Sequence, residues 1–180
     1  MELKGLTIGI LKEIMENENR VAGIPDTVKK MVDNGAKVLV ESGAGLGSFY
    51  TDTDYKNAGA EIINDPERIY NSADAILKVK EPLMNEAKNK HEVDMMKSNQ
   101  VLISFLHPSN PINHDMVKKL AQKGVISFSL DCIPRISRAQ SMDALTSMST
   151  VAGYKAIISA ACRLPKFIPM ITTAVGMFRP

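Results

Sequence analysis

Apolar and polar positions along this chain alternate between short hydrophobic runs and amphipathic stretches, the pattern of strands separated by helices. Leu6 to Leu11 reads Leu-Thr-Ile-Gly-Ile-Leu, short, apolar and partly β-branched, which predicts a buried strand. Pro25-Asp26-Thr27 opens a helix whose Val28, Met31 and Val32 share one face, and Asn34-Gly35 ends it. Lys37 to Val40 reads as a second strand, Thr53 to Ala58 as a short helix stopped at Gly59, and Glu61 to Ile63 as a third strand. Asp65-Pro66 starts another helix through Tyr70, and Ala75 to Val79 is a strand running into Lys80-Glu81-Pro82. Val101 to Leu106, a helix from Asn110-Pro111 to Gly124, and Val125 to Leu130 complete the alternation.

Strands joined by single helices imply right-handed βαβ units, so the expected fold is α/β. It is a doubly wound parallel sheet, Rossmann- or flavodoxin-like. From Ser141 to Ala161 the period changes to one long linking helix, with Leu145, Met148, Val151, Ala152 and Ile158 at helical spacing. A helix apolar over most of its surface is expected to be covered on several sides. Leu164-Pro165 and Ile168-Pro169 break it, and Thr172 to Pro180 reads as a linker. The expected organisation is an α/β domain over 1–135, a loop and long helix over 136–163, and a linker over 164–180.

Composition narrows the function classes. The 180 residues are 44% hydrophobic and 23% charged, with a net charge of +2, an ordinary globular balance. Near-neutral charge gives no electrostatic case for nucleic acid or an anionic membrane surface. No apolar run reaches bilayer length, and Met1 to Gly5 carries no leader-like stretch. The expectation is a cytoplasmic protein without direct membrane insertion. Cys132 and Cys162 lack metal-ligand spacing and read as small buried residues, and no metal site is expected.

Three stretches carry candidate chemistry. Gly43-Ala44-Gly45-Leu46-Gly47 follows a strand, but a dinucleotide loop opens directly into a helix, and here Ser48 to Asp52 intervenes. A glycine-rich turn supporting the sheet edge is the preferred reading. Arg20, Lys80 and His107 each lie at or past a predicted strand end, where open sheets carry their working surface. Arginine binds carboxylates bidentately, lysine polarises carbonyls, and histidine moves protons near neutrality. The third stretch, Pro134 to Asp143, places Arg135, Arg138, Gln140, Ser137, Ser141 and Asp143 in a loop entering the long helix. Those groups suit a phosphate, carboxylate, amide or ribose ligand, and equally a solvated, capped helix start.

The run Arg135-Ile136-Ser137-Arg138-Ala139-Gln140-Ser141-Met142-Asp143, with Val151-Ala152-Gly153-Tyr154-Lys155-Ala156, resembles the alpha subunits of NAD(P) transhydrogenases. Glu18-Asn19-Arg20-Val21-Ala22, Val40 to Gly45, Ala58-Gly59-Ala60 and Ile76 to Val79 extend the likeness and are shared with alanine dehydrogenases. The resemblance implies a cofactor, NAD(H), with NADP(H) on a partner domain. It implies that Gln140 and Asp143 orient the nicotinamide, with Arg135, Ser141 and Thr146 completing its site. Thr146 stands where the family usually carries serine. Partners implied are a Rossmann segment for NAD, expected just beyond Pro180, and the membrane and NADP-binding domains. A homodimer, peripheral to the membrane through those partners, is implied as well. His107 stands where alanine dehydrogenases carry their catalytic histidine, and Arg20 and Lys80 match their substrate-binding pair, which keeps that activity as an alternative. A docking module without activity of its own is the third.

Overall fold

A computed structural model describes residues 2–165, 171–174 and 176–178. The chain divides into two compact units, Met1–Cys132 and Ile133–Pro180.

The first unit is a six-stranded parallel sheet in the order β3-β2-β1-β4-β7-β8. Its strands are β1 (Thr7–Ile10), β2 (Lys37–Glu41), β3 (Glu61–Ile63), β4 (Ala75–Leu77), β7 (Val101–Ser104) and β8 (Ile126–Ser129). The helices are α1 (Pro25–Asp33), α2 (Asp52–Asn57), α3 (Pro66–Ser72), the single turn α4 (Glu92–Met95) and α5 (His114–Lys123). Local chemistry fixes their starts. Pro25 and Pro66 occupy first-turn positions, where the missing N–H costs nothing. Thr51 and Asp54 form a reciprocal capping box on α2, and Asp65 accepts the Glu67 N–H at the head of α3.

Strand pairing sorts the core into two faces. On one, Ile8, Ile10, Val38 and Val40 pack with Val28 of α1 and Tyr55 of α2. On the other, Leu39, Ile76 and Leu102 pack with Ile69 and Tyr70 of α3, Val93 of α4 and Leu120 of α5. Each such fully buried aliphatic side chain contributes about 1.5–3 kcal/mol. The doubly wound class expected from the sequence is therefore the one observed. The chain winds outward from β1 to β3 and returns to β4, so the topological switch point lies between β1 and β4.

Two departures from the expectation concern residues 80–100. A short hairpin, β5 (Met84–Asn85) with β6 (Lys90–His91), and the turn α4 make up the connection from β4 to β7. The segment is polar and too short for a period, and Asn89 turns it in the left-handed region at φ 48°.

In the second unit, Ser137–Met142 forms a tight 3₁₀ turn before α6 (Ala144–Ala161). Ser141 thus precedes the helix, because Asp143 caps it by accepting the Thr146 N–H at 2.9 Å. None of the α6 residues is buried, contrary to the expected cover. Within the segment read as a linker, β9 (Ile171–Thr173) pairs antiparallel with β10 (Gly176–Phe178). The expected break at Ile168-Pro169 lies outside the described residues. Cys132 and Cys162 are both exposed rather than buried, since one follows the last sheet strand and the other ends the uncovered α6. No described helix is long and apolar enough to cross a membrane.

Candidate functional site

Two sets of chemistry-bearing residues emerge, one in each unit. In the first, Lys80 follows β4 and His107 follows β7, and Glu81 joins them. Its Oε2 lies 3.4 Å from Lys80 Nζ and 3.3 Å from His107 Nδ1. His107 adopts a left-handed backbone at φ 46°, an uncommon conformation for a non-glycine residue and one that accompanies functional sites. Arg20 is gripped by Glu18, whose Oε1 accepts from Nε at 2.8 Å and whose Oε2 accepts from Nη2 at 2.5 Å. The hydrogen bond from Arg20 holds the Glu18 carboxyl below its usual value. The fork that a ligand carboxylate would take is thus engaged by an internal carboxylate.

Beneath this rim lies a buried charge cluster. Lys78, with no exposed side-chain surface, sits 2.9 Å from Glu92 Oε1 and 3.4 Å from Glu13 Oε2. Tyr70 donates its hydroxyl to Glu92 Oε1, and the Leu83 N–H donates to Glu92 Oε2, each at 2.9 Å. Glu13 accepts the Val79 N–H at 2.6 Å and the Lys80 N–H at 3.3 Å. Burial alone pushes the Lys78 ammonium down, but Glu92 and Glu13 outweigh it and hold it above its usual value. Burial also pushes the Glu13 carboxyl up, with Lys78 opposing. Glu13 leaves the end of β1 and bonds amides leaving the end of β4, so a protein carboxylate occupies the switch-point crevice where such folds hold ligands.

The glycine turn after β2 does not fit a pyrophosphate. A Cβ on Gly45 would lie 2.5 Å from Tyr55 Cε2 and 2.9 Å from the Tyr50 carbonyl oxygen. One on Gly47 would lie 2.7 Å from the Asn19 carbonyl oxygen. The space is therefore filled by the protein's own atoms, and a three-residue 3₁₀ turn, Leu46–Ser48, follows in place of a helix N-terminus.

The second set lies in unit two. A recess of about 400 Å³ is lined by Arg135, Ile136, Ser137, Gln140, Asp143 and Thr146. Asp143 Oδ2 accepts the Thr146 hydroxyl at 2.7 Å, and Arg135 reaches both partners, with Nε 3.5 Å from Asp143 Oδ2 and Nη2 3.3 Å from Thr146 Oγ1. The two bonds from Thr146 hold the Asp143 carboxyl below its usual value. Arg135, Gln140, Asp143 and Thr146 are thus brought together, whereas Ser141 is exposed and outside the recess. An amide, a guanidinium and a fixed carboxylate around one hollow suit a carboxamide and a ribose hydroxyl.

Sequence reasoning does not single out Glu13, Lys78, Glu81 or Glu92. Lys78 and Glu81 flank Lys80 in a run that reads simply as the end of a strand, and nothing local marks Glu13 or Glu92 as its partners.

The family model "Alanine dehydrogenase/PNT, N-terminal domain" matches residues 9–152. The first portion of the NAD(P) transhydrogenase alpha subunit of Rhodospirillum rubrum is 38% identical over 175 residues, 97% of this chain and 45% of that protein. Alanine dehydrogenase of Bacillus subtilis is 39% identical over 151 residues, 84% of this chain and 37% of that protein. The crystal structure of transhydrogenase from Sinorhizobium meliloti superposes with a TM-score of 0.81 at 38% identity, covering 95% of this chain and 46% of that one. The chain spans about half the length of the relatives it matches or less.

Proposed function

Because this chain belongs to the alanine dehydrogenase/PNT N-terminal domain family, we propose that it forms part of the NAD(H)-binding component of a proton-translocating NAD(P) transhydrogenase. The observation carrying this reading is the recess in which Arg135, Gln140, Asp143 and Thr146 converge. The match to a transhydrogenase alpha subunit over 97% of the chain supports it, against 84% and 89% for two alanine dehydrogenases.

NAD(H), when bound, supplies the hydride. The residues of this chain orient it. Gln140 offers an amide to the carboxamide of the nicotinamide, Arg135 adds a guanidinium, and Asp143 offers a carboxylate to the ribose. Ser141, at the exposed edge of the turn, belongs to the same cofactor-binding set. Thr146 fixes Asp143 through its hydroxyl. No general acid or base is required, since a hydride moves without a free proton. The pyrophosphate sits on protein outside this chain, because the glycine turn here is filled by Tyr50, Tyr55 and Asn19. NADP(H) and the membrane part belong to partner domains, through which the component is peripheral to the membrane, and the component is a homodimer. By itself the chain is inactive.

The test is kinetic. In the reassembled enzyme, Gln140→Ala and Asp143→Ala slow hydride transfer by about tenfold or more while changing the NADH Kd by less than about threefold. Equal losses in both would count against an orienting role. A second reading, an alanine dehydrogenase-like site at Lys80, His107 and Arg20, is favoured by the convergence of Lys80 and His107 on Glu81. Robust NADH formation from L-alanine, abolished by His107→Ala, would put that reading first.

A further inference from the structure

A strained histidine at the rim of the first unit is held from several sides at once. The left-handed φ of His107, 46°, is uncommon for any residue but glycine. From β8 and the turn after it, Ser129 Oγ and Asp131 Oδ1 accept the Leu106 N–H at 3.3 and 3.2 Å, and the Ser129 hydroxyl donates to Asp131. From the 3₁₀ turn Pro111–Asn113, the buried Asn113 donates its side-chain amide to the carbonyls of Leu106 at 3.0 Å and His107 at 3.4 Å. The Asn110 N–H donates to the same His107 carbonyl at 3.0 Å. The imidazole stacks on Phe105, with centroids 6.1 Å apart and planes at 24°. Strain that its surroundings over-determine in this way clusters at functional sites.

The ring faces Glu81, whose side chain is only 13% exposed and whose Oε2 is buried without a hydrogen bond among the described residues. Two donors stand beside that oxygen, Lys80 Nζ at 3.4 Å and His107 Nδ1 at 3.3 Å. An orphaned buried acceptor is expensive to leave unmade, so it draws on a donor within reach. Lys80 ends a flexible stem that can turn to another partner. The imidazole cannot turn away as easily, because its backbone is clamped and its ring is stacked. A carboxylate only accepts, so the Nδ1 that faces it carries the proton. We propose that Glu81 is a positioning residue that locks the neutral His107 ring as its Nδ1–H tautomer and leaves Nε2 as a proton acceptor at the rim. Unconstrained histidines in water favour the opposite form, with the proton on Nε2. The inference rests on the second reading above for the use made of that base, and on the rim geometry alone for its existence. Oxidation of an amine requires a proton acceptor, whereas hydride transfer between nicotinamides does not.

The experiment records imidazole ¹⁵N shifts of the full chain labelled at histidine, at about pH 8.5, about two units above the ordinary imidazole value, where the ring is neutral. The chain has three histidines, so loss of one signal set in His107→Gln assigns His107, and the exposed His114 serves as the reference ring. The expected result is a His107 signal of the Nδ1–H form beside a His114 signal of the Nε2–H form. Glu81→Leu should shift the His107 tautomer ratio by about tenfold or more toward that of His114, the scale set by losing a hydrogen bond to a charged group. Lys80→Met should leave the Nδ1–H form in place, since His107 then has Glu81 to itself. A purely structural role for Glu81 would not move this ratio while the backbone amide spectrum stays that of the parent. A parent His107 with its proton on Nε2, a Glu81→Leu ring still in the Nδ1–H form, or loss of that form in Lys80→Met would each overturn the proposal. L-Alanine turnover by the reassembled enzyme separates the two readings. An Nδ1–H ring without turnover sinks the second reading alone, and turnover with the proton on Nε2 sinks the positioning role alone.

Discussion

The rim in the first unit and the loop in the second hold functional groups in opposite ways. Lys80 and Glu81 stand on a segment whose amides are bonded by Glu13 and Glu92, two carboxylates tied together by the fully buried Lys78. The loop carrying Arg135, Gln140 and Asp143 has local bonds only. Its charged pair is lopsided, with Arg135 62% exposed and the Asp143 side chain 12%. Geometry in the rim is built into the core and survives alone. Geometry in the loop rests on helix capping at the head of α6, none of whose residues is buried. On the proposed function a group that orients a cofactor ring needs a dry, fixed setting, so on that reading the loop is half of a site, whereas the rim is held by the core of its own unit.

The largest test of that contrast is Lys78→Met. It leaves Glu13 and Glu92 buried without a cation, and removal of one partner from a buried ion pair costs about 3–5 kcal/mol. Urea unfolding of the first unit should show a loss of that size. Arg135→Ala, its exposed counterpart, should leave the midpoint nearly unmoved. Equal effects would erase the distinction between a core-held rim and a surface-held loop. A smaller change is expected for Gly47→Ala, whose new methyl would meet the Asn19 backbone at 2.7 Å. Overpacking of that kind costs about 1–3 kcal/mol. In the reassembled enzyme the NADH Kd should stay unchanged once the protein is folded, because the turn serves packing. Selective loss of NADH affinity would restore the phosphate-binding reading.

Much of the framework is legible in the sequence. β3 lies at the residues expected, and β1, β2, α1 and α3 begin or end within about two residues of them, the usual boundary scatter. Strand runs and proline starts are local signals. The packing role of the glycine turn also follows from a local fact, the residues from Ser48 to Thr51 that separate it from the next helix. What stays hidden is long-range. Glu13 and Lys80 are 67 positions apart, and Tyr70 and Glu92 are 22 apart. Pairing at that separation leaves no period in the sequence. The hairpin over 84–91 escapes detection because two-residue strands carry no alternation to read. The burial expected for Cys132 and Cys162, and the cover expected for α6, fail for one reason. Apolar composition signals a need for cover without saying which chain provides it.

The smallest effect concerns pH and asks whether the interior of the first unit holds more negative charge than its cations balance. Glu41, at the end of β2, accepts the Lys12 N–H at 2.9 Å and shares a recess with Glu13, Lys12 and Lys88. Burial pushes its carboxyl up, and Glu92 adds to that, while the Lys12 N–H, Lys78 and the Lys12 charge oppose it. The folded chain therefore holds this proton more tightly than the unfolded chain. As pH rises through the ordinary carboxylate range the unfolded state releases its proton first, so stability falls until the folded carboxyl also ionises, and is flat above that. Glu13 acts in the same direction. His91 acts oppositely, since burial lowers it and stability falls as it is forced to charge on acidification below its usual value. Glu41→Gln keeps an acceptor for the Lys12 N–H and removes the titration, leaving the other two contributions in place. Urea midpoints measured from about pH 4 to about pH 7 should converge at the acid end. The variant should gain on the parent as pH rises. Parallel curves would mean that Lys12 and Lys78 neutralise Glu41 fully, and that the buried charge of the first unit is balanced after all.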